Sequence, residues 1–291
     1  MWNINRRVVF NLQHFVHKLN YALPLPHGRW LLSRLALREK YLADELRNVK
    51  IDYGLKMDLK PSDNWTDMRV YFNLKEPHIK RAISKYVKEG DTLIDVGAHI
   101  GYFSLLMAYF GGPSCRLYSF EPNPEVFTRL VQNVRNNTYN ERVITVSAAL
   151  SDEMGTKTFF VDDAGSNLGT FKPANDRKGK WLEIDVTTLD NIISEYSLSN
   201  VSFMKLDVEG AELSVLRGGK EFFKKNRPVI VCEVSSRQYK LFGHTVQDLQ
   251  KWAMQNKYAL SFLGGFQEQH VPNSNPTYSL QDAILVPLDE M

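Results

Sequence analysis

The stretch Asp91-Thr-Leu-Ile-Asp-Val-Gly-Ala-His-Ile-Gly101-Tyr-Phe-Ser104 decides the fold. Thr92–Val96 is a short apolar run of strand length, and a helical pattern follows from Ile100 to Phe110. Glycines at 97 and 101 sit at the junction. Missing side chains there let a ligand approach the backbone, and the first turn of the helix offers N–H groups to a carboxylate. The spacing is Gly-x-x-x-Gly, not the Gly-x-Gly-x-x-Gly of dinucleotide enzymes, which disfavours a nicotinamide-dependent oxidoreductase. A glycine turn required only for packing is the plain alternative.

Outward from this junction the chain alternates. Strand candidates are Thr92–Val96, Arg116–Phe120, Val143–Leu150, Val201–Leu206 and Pro228–Val234, with helical stretches at Ile100–Phe110, Pro124–Asn136, Ala211–Phe223 and Thr245–Tyr258. Alternation of this kind implies parallel pairing through right-handed crossovers, with helices on both faces. Lys157–Val161 and Trp181–Val186 read as an inserted β-pair, and Ala259–Leu263 and Ala283–Val286 as two closing strands. The expected fold class is α/β: a Rossmann-like, doubly wound, mostly parallel sheet with an inserted β-pair and an N-terminal helical extension.

That extension differs in charge from the rest. Residues 1–50 hold nine Lys or Arg and three acids, a net +6, on a chain of 291 residues whose total is +3. The division expected is a basic, mainly helical segment 1–60 and a catalytic domain 61–291. Two or three helices are expected in 1–50, with a strand-like Lys50–Leu59, a mixed polar and aromatic stretch over 64–74, and a helix opening at Pro77. The basic segment could cap the sheet, form an oligomer interface or touch anionic lipid peripherally. It carries no nucleic-acid fold signature, so no nucleic-acid partner is expected. No apolar run reaches transmembrane length and the N-terminus is a poor signal peptide. Cys115 and Cys232 fall in or beside strands and read as buried thiols of a reducing compartment, which makes the cytoplasm the default location. Trp65, Tyr71 and Trp181 are expected in the core rather than stacked on a ligand.

Acids gather at the carboxyl ends of the strands, the edge where open α/β sheets bind ligands. Glu121 ends the second strand, 20 positions beyond Gly101, where a carboxylate would accept bonds from a ribose diol. Lys205-Leu-Asp207-Val-Glu209-Gly210-Ala-Glu212 ends the fourth, and Glu233 the fifth. Three acids and a glycine exceed what a helix N-terminus alone requires.

Asp95-Val-Gly-Ala-x-x-Gly, Phe-Glu121-Pro, Ala-Leu-Ser-Asp152, Thr-Thr-Leu-Asp190 and Lys-x-Asp207-Val-Glu-Gly-x-Glu212, in this order, resemble the FkbM family of methyltransferases over roughly Asp91 to Val234. The resemblance implies a class I S-adenosylmethionine enzyme that methylates a hydroxyl, frequently on sugars or polyketides, so the acceptor expected is a glycan or related small molecule. It implies that Asp95, Gly97, His99 and Gly101 line the methionine end of the cofactor; His99 stands where the family often has Asn. Glu121 would hold the ribose, and Asp152 the adenine amino group, although Ser-Asp-Glu-Met-Gly also reads as a plain β-turn. Asp207 is the expected general base, with Glu209 or Glu212 orienting substrate or loop. No residue is assigned to a metal, since nothing in the spacing demands one. A non-catalytic relic of the fold is disfavoured because the strand-end acids are all present. The loop containing Ser166–Thr170 is a candidate for the acceptor side.

Overall fold

The computed structural model describes residues 6–22, 45–62, 65–162, 169–174, 177–267 and 280–288. Helix α1 (Arg6–Ala22) precedes two short antiparallel strands, β1 (Leu46–Lys50) and β2 (Lys56–Leu59), joined through a 3-10 turn at Asp52–Gly54. Lys50–Leu59, expected as one strand, is therefore the arms of a hairpin. The second half of the helical expectation for 1–50 lies mostly outside the described residues, and Leu46 belongs to β1. Helices α2 (Trp65–Tyr71) and α3 (Pro77–Tyr86) follow.

The alternating region then builds β3 (Thr92–Val96), α4 (Tyr102–Phe110), β4 (Arg116–Phe120), α5 (Pro124–Asn136) and β5 (Val143–Val146). The stretch expected as one strand to Leu150 breaks after Val146, and its end, β6 (Ala149–Leu150), joins a separate sheet with β7 (Gly155–Asp162), β8 (Gly169–Thr170) and β9 (Gly179–Thr187). The inserted β-pair is thus the centre of a four-stranded sheet in the order β6-β9-β7-β8. The chain returns through α6 (Leu189–Tyr196), β10 (Val201–Leu206), α7 (Glu212–Arg217), α8 (Lys220–Lys225), β11 (Val229–Ser235), α9 (Ser236–Phe242), α10 (Val246–Gln255), β12 (Tyr258–Gln267) and β13 (Leu280–Pro287). One helix was expected over Ala211–Phe223. It divides at Gly218-Gly219 because the backbone there touches another segment: a Cβ on Gly218 would stand 2.0 Å from the Ser151 carbonyl oxygen.

The main sheet runs β12-β13-β11-β10-β3-β4-β5, parallel except for β13, which is antiparallel to both neighbours. From β3 the chain winds outward through β4 to β5, then restarts on the other side at β10 and proceeds to β11. The crevice at the carboxyl ends of β3 and β10 is therefore the topological switch point, where such sheets bind ligands. Alternation along the strands sends side chains to opposite faces. Leu93, Phe203 and Val231 pack with α4, β2 and α1, while Ile94, Met204 and Ile230 pack with α7, α8 and α10. Burial on both faces explains why these strands read as continuous apolar runs.

The front segment shares this core. Val16, Met57 and Leu59 belong to the same cluster as Leu93 and Leu105. Helix α1 docks through a polar stripe that its apolar periodicity did not announce: Asn20 donates to the Phe72 carbonyl at 2.8 Å, His17 Nδ1 lies 2.6 Å from the Tyr71 carbonyl, and Asn73 donates to the Asn20 carbonyl at 3.1 Å. Tyr71 is buried as expected, whereas Trp65 and Trp181 are more than half exposed. Each of the latter belongs to an element with only one face on the core. Both cysteines are buried and free. Among the described residues, no helix is long and apolar enough to cross a membrane.

One side chain ties the hairpin to the turn after β3. Asn133, fully buried on α5, accepts the Asp58 N–H at 2.8 Å and donates to the Ile100 carbonyl at 2.9 Å. Asn133→Leu would keep the volume and leave both backbone groups unpaired, at a cost of about 2–4 kcal/mol. Chemical denaturation should show that loss as a lower midpoint with an unchanged slope; a change below ~0.5 kcal/mol would contradict the role given to Asn133.

Candidate active site

The turn after β3 is anchored by backbone hydrogen bonds. The N–H groups of Gly97 and Ala98 both donate to the Phe120 carbonyl, at 3.0 and 2.9 Å, so the turn leans on the end of β4. Gly97 has φ +75°, and a Cβ there would lie 1.8 Å from the carbonyl oxygen of Asp207. Asp207 in turn donates its N–H to the Val96 carbonyl at 3.0 Å. The two strand ends flanking the switch point are thus in backbone contact, which only glycine permits. Gly101, at φ +89°, caps α4.

Glu121 closes the turn from the β4 side. Its Oε2 accepts the His99 N–H at 3.0 Å and its Oε1 the Asn123 N–H at 2.9 Å, in a position 93% buried. Each oxygen keeps capacity for a further donor. Burial pushes its pKa up to about 7, against the opposing pull of the two N–H groups and Lys205. His99 therefore joins the site through its backbone, in a left-handed conformation (φ 51°).

Asp95 is fully buried. It accepts the Ser104 hydroxyl at 2.6 Å and lies 3.5 Å from Lys205 Nζ, so its carboxylate faces into the β3–α4 interface rather than out at the edge. Asp152 is exposed on the turn after β6. It accepts the Ser151 hydroxyl at 3.0 Å and abuts Gly218; no hydrogen bond among the described residues joins it to Glu121 or the glycine turn. The structure thus brings Gly97, His99, Gly101, Glu121 and Asp207 together and leaves Asp152 on the second sheet.

The three acids of the β10 loop occupy different situations. Asp207 lies 3.3 Å from Lys205 Nζ; burial acts against its charge, but Lys205 and then Lys75 hold its carboxyl below the usual range. Glu209 has a left-handed backbone (φ 55°) and accepts a bond from Gln238 on α9, while its carbonyl accepts the Thr170 hydroxyl at 3.4 Å. Burial first, and the Asp207 charge second, raise its pKa to about 7. Glu212 turns back on its own loop: Oε1 accepts the Val208 and Gly210 N–H groups at 3.0 and 3.3 Å, and burial raises its pKa to about 8. Glu233 on β11 is pushed well up by burial and then by Asp207, Glu209 and Glu212.

Sequence reasoning assigned no role to Lys205, Lys75 or Gln238. A charged residue inside the apolar run of β10 was the available signal for Lys205, since lysine is almost never buried without partners. Lys75 and Gln238 reach the site only through tertiary packing. The candidate acceptor loop lies outside the described residues at 163–168; Gly169 and Thr170 form β8, and Thr170 faces the Glu209 carbonyl.

Comparison with known proteins gives a consistent pattern. The profile of the methyltransferase FkbM domain matches residues 95–258. The 31-O-demethyl-FK506 methyltransferase FkbM of Streptomyces tacrolimicus is 29% identical over 176 residues, covering 51% of this chain and 66% of the relative. The hexuronic acid methyltransferase AglP of Haloferax volcanii is 29% identical over 143 residues (49% and 56%), and the 2-O-methyltransferase NoeI of Sinorhizobium fredii 23% over 173 residues (55% and 69%). The alignments thus span less than two thirds of the FkbM and AglP chains. Among solved structures, a putative rRNA methylase from Clostridium thermocellum aligns with a TM-score of 0.46 at 12% identity, covering 72% of this chain and 94% of that one.

The raised carboxylates fix the sign of the pH dependence of stability. Glu121, Glu209 and Glu212, all raised from 4.5, bind protons more readily in the native chain than in the unfolded one. Their contribution to stability then falls as pH rises from about 4.5 towards 8, and is lost above the folded-state values; the lowered His17 and His244 act in the opposite sense but are outnumbered by the raised carboxylates. The ligand-free protein should melt a few degrees higher at pH 6 than at pH 8, and Glu212→Gln should flatten that difference. A melting temperature that rises from pH 6 to pH 8 would contradict these carboxylate environments.

Proposed function

The chain belongs to the FkbM family of methyltransferases, whose methyl donor is S-adenosylmethionine, and from that premise we propose that it methylates a hydroxyl oxygen on a sugar, glycan or related small molecule. The site fits the donor in two respects. Glu121 keeps acceptor capacity on both oxygens, as a ribose diol requires, and the acid-rich edge suits a ligand bearing a sulfonium and an ammonium. Gly97, the backbone of His99, Gly101 and Glu121 are the residues that would hold it. Bound there, S-adenosylmethionine supplies a methyl group already activated for transfer.

The observation that carries the reading is the placement of Asp207 against the Gly97 turn. A hydroxyl is a weak nucleophile, and a carboxylate that takes its proton as the new O–C bond forms lowers the barrier. Among the three loop acids only Asp207 is held ionised, by Lys205 and Lys75, while Glu209 and Glu212 are shifted towards protonation near neutrality. Lys205 engages Oδ2, so Oδ1 is the atom that receives the acceptor proton. Glu209, tied to Gln238 and β8, orients the acceptor from the side of the second sheet. Support for an oxygen acceptor comes from the names of FkbM and NoeI, and the hexuronic acid of AglP favours a sugar. Asp152 is retained as a proposed adenine contact on the resemblance alone.

Incubation with S-adenosylmethionine labelled in its methyl group, against nucleotide-sugar and lipid-linked glycan fractions, should yield a labelled, base-stable methyl ether. Asp207→Asn should bind S-adenosylmethionine within about threefold of the wild type yet lose ~10²–10⁴-fold in turnover. Full turnover by that variant removes Asp207 as the base, and label found on nitrogen or carbon removes O-methylation.

A further inference from the structure

Lys205 is 98% buried at the inward-facing end of β10, beside Asp95 in the parallel register with β3. Its ammonium has three donors and meets three oxygens: the Gly97 carbonyl at 3.1 Å, Asp207 Oδ2 at 3.3 Å and Asp95 Oδ1 at 3.5 Å. The Phe103 ring closes another side, with Nζ 5.6 Å from its centroid, and Lys75 Nζ stands 5.7 Å from the same ring. Replacing a buried ion pair by apolar groups of the same volume often leaves stability unchanged or improved. Packing alone therefore does not call for an ammonium here.

We propose that Lys205 is a positioning residue, whose ammonium ties the carbonyl of the cofactor turn to the Asp207 carboxylate and so sets donor side and proton acceptor at one fixed separation. The geometry supports this from both ends. The Gly97 and Asp207 backbones are already in contact, and Lys205 spans the same two residues through its side chain. Without the ammonium, Asp207 would keep only Lys75 and His99 in its favour, against its own burial and against Glu209 and Glu212 on its loop and Glu233 on β11, whose carboxyls it already pushes towards protonation. Lys205 outweighs that balance, since burial would lower its own pKa but Asp207 and then Asp95 hold it fully protonated. The proposal rests on the reading that the donor lies on the Gly97 turn with Asp207 on the acceptor side.

The test uses the full chain with ¹³C-labelled aspartate carboxyls, titrated by NMR, the Asp207 signal being assigned by its loss in D207N. S-adenosylmethionine affinity is measured in parallel by calorimetry, so no acceptor is needed. Lys205→Met should raise the Asp207 midpoint by about 1–3 pH units and weaken S-adenosylmethionine binding about tenfold or more. If that variant does not fold, Lys205→Gln, which keeps a polar end without charge, should move both readouts in the same direction. An unmoved midpoint overturns the proposal whatever happens to the melting temperature, and so does a moved midpoint with undiminished cofactor affinity. Failure of the wild type to bind S-adenosylmethionine would instead strike the cofactor reading, and the titration would still report on the Lys205–Asp207 pair.

Discussion

A side chain at position 97 would put its Cβ 1.8 Å from the Asp207 carbonyl oxygen, well inside any allowed contact. The two strand ends at the switch point can meet because that side chain is missing. With it gone, the ends of β3 and β10 touch through their backbones, the Gly97 and Ala98 N–H groups reach Phe120, and Glu121 comes under the turn to take the His99 N–H. Each of these follows from the strand order, which sets β4 on one side of β3 and β10 on the other. The sheet brings the chemistry together; the glycine lets it close.

The site is built from charge under strain of desolvation. Glu121, Glu209, Glu212 and Glu233 are all driven up by burial, yet Asp207, on the same edge, is driven down. The largest part of the difference is the buried Lys205, with Lys75 behind it. Carboxylates that share an edge cannot all ionise, and a cation beside one of them decides which does. Under the proposed roles, that difference separates Asp207 as proton acceptor from Glu209 and Glu212 as orienting acids.

Much of this was legible in the chain. The Gly97/Gly101 junction, Glu121 and the Asp207 loop follow from local pattern because each sits at a strand end, where period and punctuation carry the information. What was not legible depended on contacts distant in sequence. The break after Val146 arises because the chain leaves the sheet edge for a second sheet, and the division at Gly218 because Ser151 passes within contact distance. Helix α6 lies in a stretch too short for clear helical periodicity, although Thr188 accepting the Asn191 N–H is an ordinary N-cap. The helix expected from apolar periodicity is present as α1, but the burial of Gln13, His17 and Asn20 on it is not announced by that pattern. Asp95 sits where a strand-end pattern places a ligand-lining acid, and only the folded chain shows its carboxylate beside Ser104 and Lys205 inside the fold.

The most direct measurement is a calorimetric titration of the full chain with S-adenosylmethionine, in parallel on the wild type and Glu121→Ala. The account predicts saturable one-site binding by the wild type and an affinity at least tenfold weaker in the variant, since two charge-assisted bonds to the ribose are lost. Equal affinities, or no binding by a folded wild type, would contradict the placement of the cofactor on the Gly97 turn.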